Sequence, residues 1–145
     1  MFEIVVGSDF QFSTISGNYT CTFYCRNDEI SFPDDEWTDF ALHVLDGWLN
    51  ELQMISTQKE ANFRLWFEDG PFWIECTKCE QQLILKLMTS KSAPCPPVIE
   101  IEYEAFRDKI MVAIRKLRTN LYLAGYVDHA TEVGRLIKRC KKNTK

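Results

Sequence analysis

The sequence is poor in the residues on which most catalytic and nucleotide-binding chemistry rests. It has two histidines, His43 and His129, far apart and each within helical periodicity. His43 lies between Asp39 and Asp46 at helical spacing, a pairing that would suit a base and its orienting carboxylate, but spacing puts no nucleophile beside it. The six glycines form neither G-x-x-x-x-G-K-[ST] nor G-x-G-x-x-G, so the backbone cradles that hold nucleotide phosphates are missing. No catalytic residue and no cofactor is therefore expected. No apolar run reaches the ~18 residues that would make a membrane span. The opening Met-Phe-Glu-Ile-Val-Val has no basic segment and no small-residue cleavage site, so a cytoplasmic protein without membrane contact is expected.

Cysteine is the exception to this scarcity, with six residues. Cys76 and Cys79 form a C-x-x-C pair and Cys21 and Cys25 a C-x-x-x-C pair, but neither has the glycine-rich knuckle of a zinc site. Cys21 and Cys76 fall within strand-like alternation, where a thiol acts as a small buried hydrophobe. Reduced core cysteines and no metal are expected.

Hydrophobic residues make up 46% of the 145 and aromatics 13%, enough for one folded domain over 1–145. Short strands come first: Phe2–Val6, Phe10–Ile15, Tyr19–Cys25 and Glu29–Phe32, divided by clusters such as Gly7-Ser8-Asp9 and Ser16-Gly17-Asn18. Pro33-Asp34-Asp35-Glu36 suits the first turn of a helix. Trp37, Ala41, Val44, Leu45, Trp48, Leu49 and Leu52 then recur at helical spacing, with Glu36, Asp39, His43, Asp46 and Asn50 on the opposite face.

The pattern then returns. Asn62–Glu68, Phe72–Thr77 and Gln82–Met88 read as strands, with a hairpin signal at Asp69-Gly70. A Pro-rich loop from Ser92 to Pro97 leads to an edge strand, Val98–Tyr103. A helix from about Glu104 to Ala124 stops at Gly125, and a short basic helix spans 128–141. The predicted fold is α+β: two antiparallel sheets of about four strands, each followed by a helix (ββββα-ββββα), plus a short C-terminal helix. Matching strand counts suggest an internal duplication of about 1–60 and 61–125. This order of elements resembles the Whirly/Pur-type arrangement of two crosswise sheets.

Charge is divided along the chain. Met1–Glu104 carries 18 acidic against 6 basic residues, a net of −12, and Ala105–Lys145 carries 3 against 11, a net of +8. Arg107, Arg115, Arg118, Arg135, Lys138, Arg139, Lys141, Lys142 and Lys145 could bind phosphates, with Trp66 and Trp73 stacking bases, as in single-strand nucleic-acid modules. The −12 field disfavours an approaching polyanion. The acidic side suits a protein partner better: Asp34, Asp35, Glu36, Asp39 and Asp46 border aromatics, and Glu68, Asp69 and Glu75 lie near Trp73.

Two segments carry a family resemblance. Phe32-Pro33-Asp34-Asp35-Glu36-Trp37-Thr38-Asp39-Phe40, running on to Val44-Leu45 and Trp48, and Phe67-Glu68-Asp69-Gly70-Pro71-Phe72 resemble motifs of immunity proteins from bacterial polymorphic-toxin and contact-dependent growth inhibition systems. The resemblance implies a cytoplasmic, non-enzymatic inhibitor that binds one cognate toxin C-terminal domain, often a basic nuclease. Partner contacts are then expected at Asp34, Asp35, Glu36, Asp39, Asp46, Glu68, Asp69, Trp73 and Glu75.

Overall fold

The computed structural model describes residues 1–89 and 94–142, with backbone only at 94–97 and 142. Residues 90–93 and 143–145 lie outside the described residues; these include the start of the Pro-rich segment and Lys145. The side chains of Cys95 and Lys142 are likewise outside the description.

The fold is α+β, with two antiparallel sheets, each followed by a helix, and a third helix at the end. The first sheet is built from β1 (Phe2–Val6), β2 (Gln11–Phe12), β3 (Tyr19–Asn27), β4 (Ile30–Phe32) and β5 (Thr38–Asp39). β3 is its hub and pairs with all four others. Because β1 and β4 both pair with Cys25–Asn27, they must take opposite edges of β3. Alternation along β3 is strict: Tyr19, Cys21, Phe23 and Cys25 are buried, and Thr20, Thr22, Tyr24 and Arg26 are not. The second sheet is a plain meander, β6 (Glu60–Trp66), β7 (Trp73–Cys79), β8 (Gln82–Met88) and β9 (Pro94–Glu102). β9 begins four residues before the expected Val98. Prolines are tolerated there because β9 lies at the sheet's edge and pairs only with β8, across a register shift at Leu85/Leu87. A hub on one side and a meander on the other mean that the similar strand counts do not extend to pairing order.

α1 (Ala41–Met54) and α2 (Tyr103–Leu123) share one core with both sheets. Trp48, Phe23 and Phe67 pack mutually edge-on or tilted at 5.4–6.0 Å. The Trp48 indole N–H also donates to the Trp66 carbonyl at 2.8 Å. Phe106 of α2 meets Phe2 of β1 at 5.6 Å. The Asn120 side-chain amide donates to the Val6 and Gly7 carbonyls at 3.3 and 2.9 Å, joining the end of α2 to the first strand. Lys78 is buried, donating to the Gln58 carbonyl with its ammonium 5.5 Å from the Tyr103 ring. α3 (Val127–Lys142) folds back on α2 as an antiparallel hairpin. The turn is a Schellman motif: Gly125 takes φ +91°, Tyr126 N–H reaches the Leu121 carbonyl at 2.9 Å, and Gly125 N–H reaches that of Tyr122 at 3.0 Å.

The first helix starts later than its sequence suggests. Pro33–Glu36 forms a turn instead, with Trp37 N–H on the Asp34 carbonyl and Glu36 at φ +82°. The reason is Asp39, which is fully buried instead of facing solvent. Its carboxylate accepts the backbone N–H of Phe40 (2.7 Å), of Glu68 (3.1 Å) and of Asp69 (3.2 Å), and the Trp37 indole N–H (3.2 Å). Around this clamp Phe32 and Trp37 pack against Phe72 at 5.9 and 5.2 Å. Gly70 sits so close, at φ +129°, that a Cβ there would lie 3.1 Å from the Trp37 ring. Those contacts hold residues 33–39 away from the helix axis.

Removing the clamp's acceptor leaves three backbone donors and an indole unsatisfied, so Asp39→Ala is expected to lower stability by about 3 kcal/mol in urea titrations. Burial pushes the Asp39 carboxyl above its ordinary range, and the N–H donors pull partly back. A raised folded value favours the fold at pH below the unfolded value, and that contribution is lost as pH rises through the folded one. Asp39→Asn should erase this portion of the stability-versus-pH curve; an unchanged curve would show that another group carries it.

Candidate functional site

The clamp brings the two family-like segments together in space. Asp34, Asp35 and Glu36 on one loop and Glu68 and Asp69 on the other are all exposed, and Asp39 ties the two loops directly. Next to Glu68 lies a cleft of about 160 Å³ bordered by His43, Glu51, Arg64, Trp66 and Glu68. The His43 Nδ1 is 3.6 Å from the Glu68 carboxylate. Five exposed carboxylates thus sit on two loops tied together, and one of them, Glu68, shares a cleft with the half-exposed Trp66.

The other expected contact residues are occupied within the chain. Asp39 is the buried clamp and has no surface to offer a partner. Asp46 on α1 accepts from the Arg139 guanidinium of α3 at 3.1 Å. Glu75 on β7 accepts both the Arg64 Nε–H at 2.9 Å and the Trp73 indole N–H at 3.1 Å. Trp73, expected as an aromatic anchor, is 9% exposed: Arg64 lies 5.0 Å over its ring and Trp66 packs beside it at 4.9 Å. Trp66, its cross-strand neighbour, is 46% exposed and presents the ring instead. Strict alternation from Phe63 already put Trp66 on the outer face, but only the chain's path to Glu68 puts it beside the acids.

Sequence reasoning also missed a meeting of the two histidines. His43 and His129 line one small cavity of about 50 Å³ with Tyr19, Asn18 and Glu132. His129 packs on Phe12 and Tyr19 at 4.9 and 5.1 Å, within an aromatic group that includes Tyr126. The Tyr19 hydroxyl is buried with no protein hydrogen-bond partner, and burial raises its pKa. The cavity holds room for about one to three waters, far less than a substrate requires. Among the described residues no group of three or more His, Cys, Asp or Glu is arranged to hold a metal ion. Cys76 and Cys79 fall on opposite faces of β7, one buried and one exposed. Burial pushes the Cys21 thiol up to about 12 and the Cys25 and Cys76 thiols up as well, so these are unreactive core groups.

No helix among the described residues is long and apolar enough to cross a membrane. Comparison with protein-family models, curated proteins and solved structures gives no match.

Because the Tyr19 hydroxyl has no protein partner, Tyr19→Phe is expected to leave stability unchanged or raise it by up to about 1 kcal/mol in thermal melts. A loss of more than 1 kcal/mol would mean the hydroxyl is satisfied in solution and the cavity is part of the core's polar wiring.

Proposed function

We propose that the chain is an immunity protein that neutralises a basic toxin domain by stoichiometric binding through its acidic corner. The observation that supports this most directly is the convergence of the 34–36 and 68–69 loops on Asp39. It gathers carboxylates from two distant segments, Glu68 among them beside Trp66, and among the described residues none of them pairs with lysine or arginine. Such a surface supplies both a field that speeds encounter with a basic partner and an aromatic residue to anchor it. Asp46 and Glu75 contribute only to the field, since each already holds an arginine of its own chain.

A single-strand nucleic-acid module is the competing reading, favoured by Trp66 on the open face of the second sheet with Arg64 and Lys86 on that same face. The basic side chains of α2 and α3 lie behind that sheet, so one strand could not use both. The acids beside Trp66 would repel it.

Co-expression with the C-terminal domain of a large secreted protein encoded beside the chain's gene should yield a 1:1 complex and restore growth. Reversing Asp34, Asp35, Glu36, Glu68 and Asp69 to lysine should weaken that complex at least 100-fold, with the melting temperature held within a few degrees. Unchanged affinity would move the interface elsewhere. A salt-sensitive shift of a single-stranded oligonucleotide by the unaltered protein would support the competing reading.

A further inference from the structure

A groove of about 610 Å³ lies away from the acidic corner, between α2 and α3. Ala130 and Ile137 form its buried floor, and Leu123 and Val127, 77% and 51% exposed, form apolar walls near the hairpin turn. Tyr122, 62% exposed, extends the apolar surface. Arg118, Arg135, Lys138 and Lys141 border the rest. Such a concentration of uncovered large apolar side chains on one hairpin is unusual for a surface that meets only water.

We infer that this groove is a docking site for an acidic amphipathic helix of a partner protein. Two antiparallel helices leave a furrow that a third helix fills, placing an apolar stripe on the floor and its flanks against the rim. The lining runs from Val127 to Lys141 along α3, about 21 Å at 1.5 Å per residue, or roughly four turns of a docked helix. The rim carries four cations, so the flanks of that helix are glutamate or aspartate. Gly134 lies in the groove, where an added Cβ would be 3.8 Å from the Arg118 side chain. A glycine inside a helix weakens it relative to alanine, and here it leaves the furrow free of a side chain at that point.

Charge and shape reject the other occupants. A symmetric pair of copies would set Arg118, Arg135, Lys138 and Lys141 against their own equivalents. The exposed acids of the proposed toxin-binding corner sit on loops, so a second copy offers no matching helix there. A bilayer would cover Leu123 and Val127 but leave the recessed floor at Ala130 and Ile137 unfilled. A phosphate backbone would leave Leu123 and Val127 uncovered.

The test uses the full chain and a labelled 16-residue peptide with leucines at i, i+3, i+4 and i+7 spacing and glutamates on both flanks. Fluorescence anisotropy should give saturable 1:1 binding. Arg118→Glu with Lys138→Glu should weaken it at least tenfold, and so should Gly134→Leu, which fills the furrow without altering charge. Raising salt from 50 to 500 mM should also weaken it several-fold. The same peptide with lysine flanks, or with its leucines shuffled, should not bind. Circular dichroism and thermal melts of each variant separate lost binding from lost fold. The inference fails if the glutamate-flanked peptide does not bind, or if the variants bind it as the unaltered chain does. It fails equally if phosphatidylserine vesicles or a single-stranded oligonucleotide bind with the Arg118/Lys138 dependence instead, or if the chain dimerises through Leu123 in sedimentation runs. Lysine replacements at Asp34, Asp35, Glu36, Glu68 and Asp69 should leave peptide affinity within twofold, so either surface can fail without the other.

Discussion

The buried carboxylate of Asp39 is the constraint on which the arrangement of this molecule turns. A charge removed from water needs compensation, and among the described residues no lysine or arginine hydrogen-bonds to this one. Four N–H groups supply it instead, drawn from the strand end, the start of α1 and a hairpin 29–30 residues further on. Meeting all four at once fixes where the first helix begins, how the first sheet meets the second, and which side chains of the two loops point outward. The aromatic packing of Phe32, Trp37, Phe67 and Phe72 closes around the same point. The result is rigid support beneath a loop surface whose own residues make few contacts.

That division explains how one stretch of sequence can look both structural and functional. Within 32–40, the aromatic residues and Asp39 build the clamp, while Asp34, Asp35 and Glu36 ride on it. Within 67–72, Phe67, Gly70 and Phe72 belong to the clamp, and Glu68 and Asp69 to the surface. The charge polarity of the chain is sorted in the same way. Part of the acidic half is neutralised internally, by Arg139 on Asp46, by Arg26 on Glu3 and by Arg64 on Glu75. Five of the remaining acids, Asp34, Asp35, Glu36, Glu68 and Asp69, lie on the two loops tied by Asp39, and most of the remaining bases lie along the α2–α3 hairpin.

Much of the fold was legible because it follows from periodicity. β3, the second meander, the buried stripes of α1 and α2 and the Gly125 stop all come from local rules that tertiary contacts left intact. The opening of α1 was misread because Pro33-Asp34-Asp35-Glu36 has the composition of a helix start, and composition cannot register a hydrogen bond to Glu68 or Asp69. The same blindness put Asp39 on the surface and Trp73 among the free aromatics. Both are buried by partners distant in sequence or across a strand pair. Asp34, Asp35, Glu36, Glu68 and Asp69 were named correctly as surface groups because no distant segment buries their side chains. The meeting of His43 with His129 was invisible for the converse reason, since each sits on a different helix and only the packing of α3 beside α1 brings them together.

The amide of Asn120 reaching back to Val6 and Gly7, and Phe106 covering Phe2, have a consequence for how the chain is made. Residues 2–6 leave the ribosome well before the helix that covers their apolar side, which is completed more than a hundred residues later. At roughly 5–20 residues per second, that strand waits on the order of ten seconds before its cover exists. Throughout that interval β3 can pair with it, but its inner side stays wet and open to foreign strands. Docking of α2 is therefore the step that closes the apolar side of β1.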